Sequence, residues 1–347
     1  MLVKTNKDTF RYATNYQHTQ TGSQDNRMNL RYLLHSGKNS NLKFYVEGYL
    51  RHCIPKSVYV GFLPNMLKKA DTTIDKQYLQ KRVDYYCKVG ATQVQSMPSL
   101  PTLSDFNRRH QNAYYLDLYR TSRWFPGHLR CGFIPGDVTE TPTTPSIVKS
   151  RPIQGDNANS VILKLDSARH FLFIKDKIPF HDKENKILFR GQAYNKKRLL
   201  FMEKYFGHPM VDAGIPSSHH RENHLLEWKV PAMTISDHLR YKFIMAIEGN
   251  DVASNLKWVM SSNSIAVMPR PEFETWFMEG TLIPNYHYIE IKSDYSDLEE
   301  RVNYYIEHED EALEIIHHAH EYVEQFKNKN QEKLIEIKVL NKYFYGK

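Results

Sequence analysis

The sequence predicts an α/β fold built around a parallel sheet with helices on both faces. Two observations carry this prediction. From Lys186 onward, short apolar runs alternate with longer segments of helical periodicity. The chain has 347 residues, of which 41% are hydrophobic and 25% are charged, so it is large enough for two packed lobes. Strands that alternate with helices are joined by right-handed crossovers, which makes the sheet parallel and Rossmann-like.

Each element of the second half follows from its own pattern. KILFRG is an apolar strand that ends at Arg190, and NKKRLLFMEKYFG is a helix closed by Gly207. The later elements are, in chain order, the strand IMAIEG, the helix NDVASNLKWVMSSN, the strand SIAVMP, the short helix PEFETWFMEG, the strand YHYIEIK and one or two helices in SDLEERVNYYIEHEDEALEIIHHAHEYVEQF. The first half contains LKFYVEGYLR, SVYVGFLP and NAYYLDLYRTSRWF, whose weak periodicity leaves their topology open.

The length and the change in pattern divide the chain into three parts, residues 1–180, 181–326 and 327–347. The last part carries six lysines and two glutamates. Its apolar positions predict a final helix that packs back on the N-terminal lobe with its lysines outward. A solvated basic face is favoured for these lysines, and a membrane-binding face is the alternative.

Composition limits the class of protein. There is no run of eighteen apolar residues, and MLVKTNKDTFRY does not have the pattern of a signal peptide, so we expect a cytoplasmic protein. Cys53, Cys87 and Cys131 are too few and too widely spaced for a disulfide framework or a structural zinc site. The net charge of +8 indicates anionic partners, namely nucleotide phosphates, nucleic acid or an acidic membrane face.

Two strand-to-helix turns are suited to phosphate. In FRGQAYNKKR, Arg190 and Arg198 flank Gly191, and in EGNDVASNLK, Gly249 precedes a helix that contains Lys257. In parallel sheets, ligands lie where strands turn into helices, and free N–H groups at helix N-termini attract anions. For each turn alone, an ordinary strand-ending glycine with surface charges is the favoured interpretation. Their pairing favours a diphosphate site, and no dinucleotide or P-loop motif is present.

Asp137 lies in a segment of prolines and threonines, Pro135 to Pro152, which we expect to be an exposed, structured loop. From the residues alone, a turn cap and a catalytic carboxylate are both consistent with Asp137. The sequence contains no Asp-x-Asp metal motif, which favours a metal-independent reaction. Two histidine groups are predicted to lie at the surface and not to bind a metal, because no carboxylate or cysteine pattern completes a site; they are His219, His220 and His224, and His317, His318 and His320.

The segment YKFIMAIEGNDVASNLKWVMSSNSIAV, followed by EFETWF and HYIEIKSDYSDLEERVNYYIEHEDEALEI, resembles glycosyltransferase family 90. The resemblance extends upstream through ILFRGQAYNKKR and IPGDVTETPTTPSIVKSRPI and so covers residues 130 to 326. It is greatest to the bacterial branch that modifies lipopolysaccharide cores. It implies a GT-B fold, in which two Rossmann-like lobes face each other across a cleft. Residues 1–180 would form the acceptor-side lobe, and residues 181–326 the nucleotide-sugar-binding lobe.

The resemblance also implies the roles of individual residues. Asp137 matches the catalytic aspartate. The implied donor-binding residues are Arg190, Gly191, Gln192, Arg198, Gly249, Asn250, Asp251, Asn255 and Lys257. Lys149, Arg151 and Glu272 are further expected contacts of the donor or the acceptor.

The implied reaction is inverting transfer of a hexose from a UDP-sugar to a lipopolysaccharide core hydroxyl, without a metal or other cofactor and without nucleic acid. It would take place in the cytoplasm, with peripheral contact to the inner membrane as a further expectation. Two alternatives remain open: a capsule or protein acceptor for the same enzyme class, and a basic nucleic-acid-binding protein.

Overall fold

Helices form the first part of the chain in the computed structural model, which describes residues 37, 39–106, 113–216 and 227–346. They are α1 (Asn41–Leu50), α2 (Lys56–Thr73), α3 (Lys76–Tyr86), α4 (Ala91–Gln95) and α5 (Ala113–Ser122). Side chains cap two of them: Ser40 accepts a hydrogen bond from Lys43 N at 3.2 Å, and Asp75 accepts one from Tyr78 N at 2.8 Å. The three apolar segments of the first half are therefore helical.

A small parallel sheet follows. The elements of this part of the chain are β1 (Gly132–Phe133), β2 (Ser146–Val148), β3 (Arg151–Pro152), β4 (Ser160–Ile162) and the short helix α6 (Ser167–His170). Strands β1, β2 and β4 pair in that order, all parallel. The prediction of one exposed loop from Pro135 to Pro152 is thus wrong for its second half, because residues 146–151 are buried.

Six parallel strands form the larger sheet. The remaining elements are β5 (Glu184–Arg190), α7 (Lys196–Tyr205), β6 (Val211–Pro216), β7 (Lys229–Val230), α8 (Ile235–His238), β8 (Tyr241–Met245), α9 (Leu256–Met260), β9 (Ile265–Met268), β10 (Phe273–Glu274), β11 (Ile289–Glu290), α10 (Leu298–Glu307), α11 (Glu309–Glu324) and α12 (Lys329–Tyr345). The spatial order β7-β6-β5-β8-β9-β11 is the Rossmann order 3-2-1-4-5-6. The predicted α/β fold with a parallel sheet is confirmed.

Two predicted elements differ from the structure. PEFETWFMEG is not a helix: Phe273 and Glu274 form β10, which pairs antiparallel with β3. The helix predicted in NDVASNLKWVMSSN is reduced to α9, because the residues before Leu256 form the loop that follows β8.

The last helix packs back on the N-terminal helices, as predicted. Helix α12 lies against α2, α3, α4 and α5. Its predicted apolar positions are all buried; they are Leu334, Ile335, Ile337, Val339, Leu340, Tyr343 and Phe344. Lys338 pairs with Asp71 at 2.5 Å and Lys342 with Asp84 at 2.6 Å, so two of its lysines bind neighbouring helices. Within the described ranges, none of the helices is both long and apolar enough to cross a bilayer.

Candidate active site

The two predicted donor turns meet at the carboxyl edge of the larger sheet. Strands β5 and β8 are neighbours, and the chain leaves them in opposite directions, which opens a crevice at their carboxyl ends. Asn195 caps α7 and joins the turns. Its Oδ1 accepts from Arg198 N at 2.9 Å, and its Nδ2 donates to Gly249 O at 2.7 Å. The structure therefore places Gly191 and Gly249 on either side of one crevice.

The Arg198 side chain lies between these turns. Its Nη2 donates to Ile247 O at 2.8 Å and its Nη1 to Gln192 O at 3.1 Å. Within the described chain, no carboxylate lies within ion-pair distance of this guanidinium, and burial lowers the pKa of Arg198. A buried cation bound only to carbonyl groups is poorly compensated, so this position favours an anionic ligand.

Arg190 has a different environment. Its Nη2 donates to Asp212 Oδ1 at 2.6 Å, across from β5 to β6. Tyr241 donates to the other oxygen of Asp212 at 2.5 Å. Burial would raise the pKa of Asp212, but Tyr241 and Arg190 outweigh it and hold that pKa below the usual value. The charge of Arg190 is thus already compensated within the protein.

Asp137 lies against the second donor turn. Asn250 Nδ2 donates to its Oδ2 at 3.3 Å, and Lys149, Tyr114 and Arg169 contact its Oδ1, the last two at 3.4 Å. Burial would raise the pKa of Asp137, but Lys149, followed by Arg169 and Asn250, holds it below the usual value. The carboxylate is therefore ionised near neutral pH and lies beside the crevice.

Lys149 forms a second link between Asp137 and the turn after β8, in addition to the hydrogen bond from Asn250. Its side chain is 1% exposed, and its Nζ also lies 2.7 Å from Asp251 Oδ2, whose side chain is 4% exposed. One buried ammonium thus joins a carboxylate of the Asp137 loop to a carboxylate of the loop after β8.

The structure does not bring every predicted residue to the crevice. Lys257 is fully buried and pairs with Glu279 at 2.5 Å, and Arg151 is fully buried and pairs with Glu274 at 2.7 Å. Both cations lie in the interior and are neutralised there. Asn255 Nδ2 donates to Met245 O at 2.9 Å, which closes the loop after β8, and Glu272 pairs with Lys197 at 2.9 Å.

A cavity of about 610 Å³ lies at the carboxyl ends of β8, β9 and β11. Lys197, Glu248 and Glu272 line one part of it, and Arg270 and Glu290 another. Lys197 pairs with Glu248 at 2.6 Å, although burial raises the pKa of Glu248. Lys197 and Glu248 lie in the two strand-to-helix turns that the sequence predicted to bind a ligand, but they were not singled out, because a lysine on the first turn of a helix and a glutamate after a strand carry no specific motif.

Tyr114, Arg169 and His170 were also missed near Asp137. Both ring nitrogens of His170 are buried without a hydrogen-bond partner. Burial, followed by Lys257, Lys149 and Arg169, holds the pKa of His170 well below its usual value, so the ring is neutral. The segment that carries Arg169 and His170 is a helix of four residues, too short to show periodicity in the sequence.

The histidines on α11 have partners within the fold. His320 Nε2 lies 2.7 Å from Ser262 O, His318 stacks on Tyr286 at 3.6 Å, and His317 pairs with Glu321 at 3.4 Å. Across the described ranges, no group of three or more His, Cys, Asp or Glu side chains could hold a metal ion. The other histidine group, His219, His220 and His224, lies outside the described residues.

A Rossmann sheet with a cationic crevice and a neighbouring carboxylate defines a class of α/β protein whose crevice is suited to a phosphate-bearing ligand. Comparison with known proteins then identifies the family. Residues 163–344 match the model of glycosyl transferase family 90. The chain is 35% identical over 315 residues to the O-glucosyltransferase LpsA of Dichelobacter nodosus. The aligned region covers 87% of this chain and 95% of that protein.

More distant relatives match a shorter region. Protein O-glucosyltransferase 3 of Homo sapiens is 28% identical over 137 residues, covering 39% of this chain and 27% of that protein, and its Rattus norvegicus counterpart is 29% identical with the same coverage. The chain belongs to glycosyltransferase family 90 and is a glycosyltransferase. The family match contains both donor turns and begins after Asp137.

Proposed function

We propose that this protein is an inverting glycosyltransferase that moves glucose from UDP-glucose to a hydroxyl of a lipopolysaccharide core sugar, with Asp137 as the general base. The observation that carries the proposal is the contact of Asp137 with Asn250 and, through Lys149, with Asp251. This contact holds a carboxylate beside the turn that is expected to bind the donor. In this proposal the two lobes have the GT-B arrangement, and the reacting atoms meet between them.

The donor would bind in the crevice at the carboxyl ends of β5 and β8. Arg198 supplies a positive charge without a carboxylate partner, which suits the diphosphate. The cavity beside Lys197 and Glu248 has room for the nucleoside. Glucose is chosen as the donor sugar because three relatives are named O-glucosyltransferases.

The reaction would be a single in-line displacement. The acceptor oxygen forms a bond to the anomeric carbon as the bond to the UDP oxygen breaks on the opposite face, and the acceptor proton passes to Asp137. Arg198 and the backbone N–H groups at the start of α7 would stabilise the charge that grows on the leaving diphosphate. This displacement requires no metal ion in the proposal.

The proposed acceptor is supported by the resemblance to the lipopolysaccharide branch, and the bacterial origin of the relative that covers 87% of this chain agrees with it. The reaction would take place at the cytoplasmic face of the inner membrane. A capsule or protein acceptor would use the same donor site. Membership in a glycosyltransferase family favours an enzyme over the nucleic-acid-binding alternative.

Substitution of the proposed base tests the proposal. We expect Asp137→Asn to lower transfer of glucose by about a hundredfold to ten-thousandfold, because the amide cannot accept the proton. Binding of UDP-glucose, measured by thermal shift, should change little. The control is Asp182→Asn, a carboxylate that is 60% exposed. Near-normal turnover by Asp137→Asn would rule out the base, and a thermal shift with UDP-galactose or UDP-xylose but not UDP-glucose would rule out the donor.

A further inference from the structure

Helix α1 presents an apolar stripe to solvent. Large apolar residues occur at positions i, i+3, i+4, i+7 and i+8 and so share one face of the helix. These side chains and their exposed fractions are Leu42 76%, Tyr45 37%, Val46 47%, Tyr49 47% and Leu50 60%. The opposite face of α1 is the one that packs, because Gly48 is buried against Leu116 of α5. An apolar stripe on a helix that already has a packed face indicates a second contact.

The stripe continues into α2. Ile54, Val58 and Phe62 are 44%, 45% and 55% exposed. Sixteen large apolar side chains are exposed in the described residues, and eight of them lie between positions 42 and 62. Such a concentration differs from the scattered apolar residues of an ordinary surface and marks an interaction site.

A buried arginine lies beneath the junction of α1 and α2. Arg123 is 7% exposed, its Nε and Nη1 have no hydrogen-bond partner, and its guanidinium lies 4.1 Å from the ring of Tyr59 in α2. No described carboxylate pairs with it, and the Nε1 of the neighbouring Trp124 is also buried without an acceptor. Buried charges normally have an anionic partner, so Arg123 adds uncompensated positive charge to this region, although its two unpartnered nitrogens are themselves buried.

Three more cations surround this arginine. Lys333 of α12 lies 4.7 Å from the ring of Trp124, and burial, followed by Arg123, Lys69 and Arg51, lowers the pKa of Lys333. Glu47 compensates Arg51 at 3.0 Å, and the nearby Glu336 is already paired with Arg120. The cationic cluster of Arg51, Lys69, Arg123 and Lys333 therefore carries excess positive charge beside the apolar stripe.

We propose that the α1–α2 face is a docking surface for a membrane that carries phosphate-bearing lipid headgroups. The apolar stripe would enter the boundary between headgroups and acyl chains, while Lys69 and Lys333, whose side chains are not buried, bind lipid phosphates. The proposal rests on the proposed function only in that the acceptor glycan would be carried at this membrane. From the sequence, membrane binding was only the alternative for the lysines of α12. In the structure Lys338 and Lys342 of that helix are bound to α2 and α3, and Lys333 is the α12 lysine that belongs to the proposed face.

Charge favours a lipid over the chain's own N-terminal segment as the occupant. Residues 1–36 contain five Lys or Arg and two Asp, so this segment is itself net positive. A second copy of the chain would bring the same cationic cluster to the contact. An anionic lipid surface matches both the charge and the apolar stripe.

Vesicle binding of the full-length protein tests the docking surface. We expect co-sedimentation with vesicles in which about a third of the lipid is phosphatidylglycerol, weak binding to phosphatidylcholine alone, and a loss of binding at high salt. Lys69→Gln and Lys333→Gln should each weaken binding about fivefold. Leu42→Ser together with Val46→Ser should weaken it about tenfold. Inorganic phosphate in the buffer should compete only weakly.

Matched controls separate the surface from general effects. Lys177→Gln and Leu313→Ser change an exposed lysine and a 44% exposed leucine elsewhere, and should bind vesicles like the unchanged protein. Equal binding to both vesicle types, or equal loss in the controls, would overturn the proposal. The proposal would also be overturned if the protein formed a dimer in solution that Leu42→Ser together with Val46→Ser dissociates, and if the protein did not bind vesicles. Glycosyl transfer to a soluble acceptor is measured in a separate assay. If the proposed donor or the proposed base proves wrong, the vesicle-binding result can still be interpreted.

Discussion

A single buried ammonium determines the charge of the candidate active site. Lys149 lies between Asp137 and Asp251, and the side chains of Lys149 and Asp251 are almost fully buried. In the proposed reaction Asp137 accepts a proton from the acceptor, and Lys149 would then still have Asp251 as a partner. The proton transfer therefore does not leave a buried cation unpaired, which would otherwise oppose the reaction. The same arrangement makes Asp137 a weaker base than an isolated carboxylate, because its pKa is held down.

The first prediction concerns this lysine. Asp137 has a lowered pKa in the folded protein, so it is ionised above that pKa and becomes inactive as a base when the pH falls through it. Lys149→Gln removes the cation that lowers the pKa, and we expect the acid limb of the kcat/KM profile to move to higher pH. Arg169→Gln removes a half-exposed guanidinium that lies 3.4 Å from Asp137 Oδ1. This substitution should move the acid limb in the same direction, but by less.

The same substitution should also cost stability. Without Lys149, the buried carboxylate of Asp251 loses its ion-pair partner, which costs about 3 kcal/mol in the free energy of unfolding. Denaturant unfolding at neutral pH measures this loss, and Lys177→Gln is the surface control. An unchanged acid limb in a folded Lys149→Gln protein would show that Lys149 does not control the ionisation of Asp137.

At the scale of elements, the crevice depends on close approach between two strand-to-helix turns. A Cβ added at Gly249 would lie 3.3 Å from Arg198 Nη2, whereas one added at Gly191 would meet the ring of Phe189 at 3.2 Å before Arg198 Nη1 at 3.6 Å. Neither glycine has a left-handed backbone. The role of Gly249 is therefore the space that it leaves for the guanidinium, and not an unusual turn.

The next prediction follows from that space. Gly249→Ala should displace Arg198 by a few tenths of an ångström and raise the KM for the sugar nucleotide, with a smaller effect on kcat. We expect a change of about tenfold, since a charged hydrogen bond contributes about 1.5 kcal/mol. Gly61→Ala is the matched control, because an added Cβ there meets nothing within 4 Å. Gly61→Ala should stabilise α2 slightly and leave the KM for the sugar nucleotide unchanged. An unaltered KM in Gly249→Ala would show that Arg198 does not bind the donor.

The elements also show what the sequence could predict. Strands β5, β8 and β9 were predicted because a fully buried parallel strand is a continuous apolar run between turns. Strand β10 was not, because its two residues depend on β3, which lies more than a hundred residues earlier in the chain. The same limit applies to the site. Arg198 and Gly249 could be predicted because they belong to short strand-to-helix patterns. The ion pairs that hold Arg151 and Lys257 in the interior could not, because their partners Glu274 and Glu279 are distant in the sequence.

At the scale of the whole molecule, α12 connects the first helices to the segment between β10 and β11. Glu332 accepts from Arg82 of α3 at 3.1 Å and from Trp276 Nε1 at 2.5 Å, and Trp276 stacks on Tyr86 at 3.9 Å. Residues Gly37–Lys347 form one compact unit. The proposed domain boundary near residue 180 lies within this unit, between the small sheet and the larger one, and it stays a prediction.

The last prediction tests this connection. Glu332→Gln keeps an acceptor oxygen for Trp276 but leaves Arg82, which is 2% exposed, without its carboxylate. We expect a loss of about 3 kcal/mol, or roughly 6 °C in Tm for a protein of this size. Because α12 contacts both regions, calorimetry should still show one transition, shifted as a whole. Glu324→Gln, which removes a surface partner of Lys327, should change stability by less than about 0.5 kcal/mol. A second transition that appears only in Glu332→Gln would mean that this one ion pair couples two independent folding units.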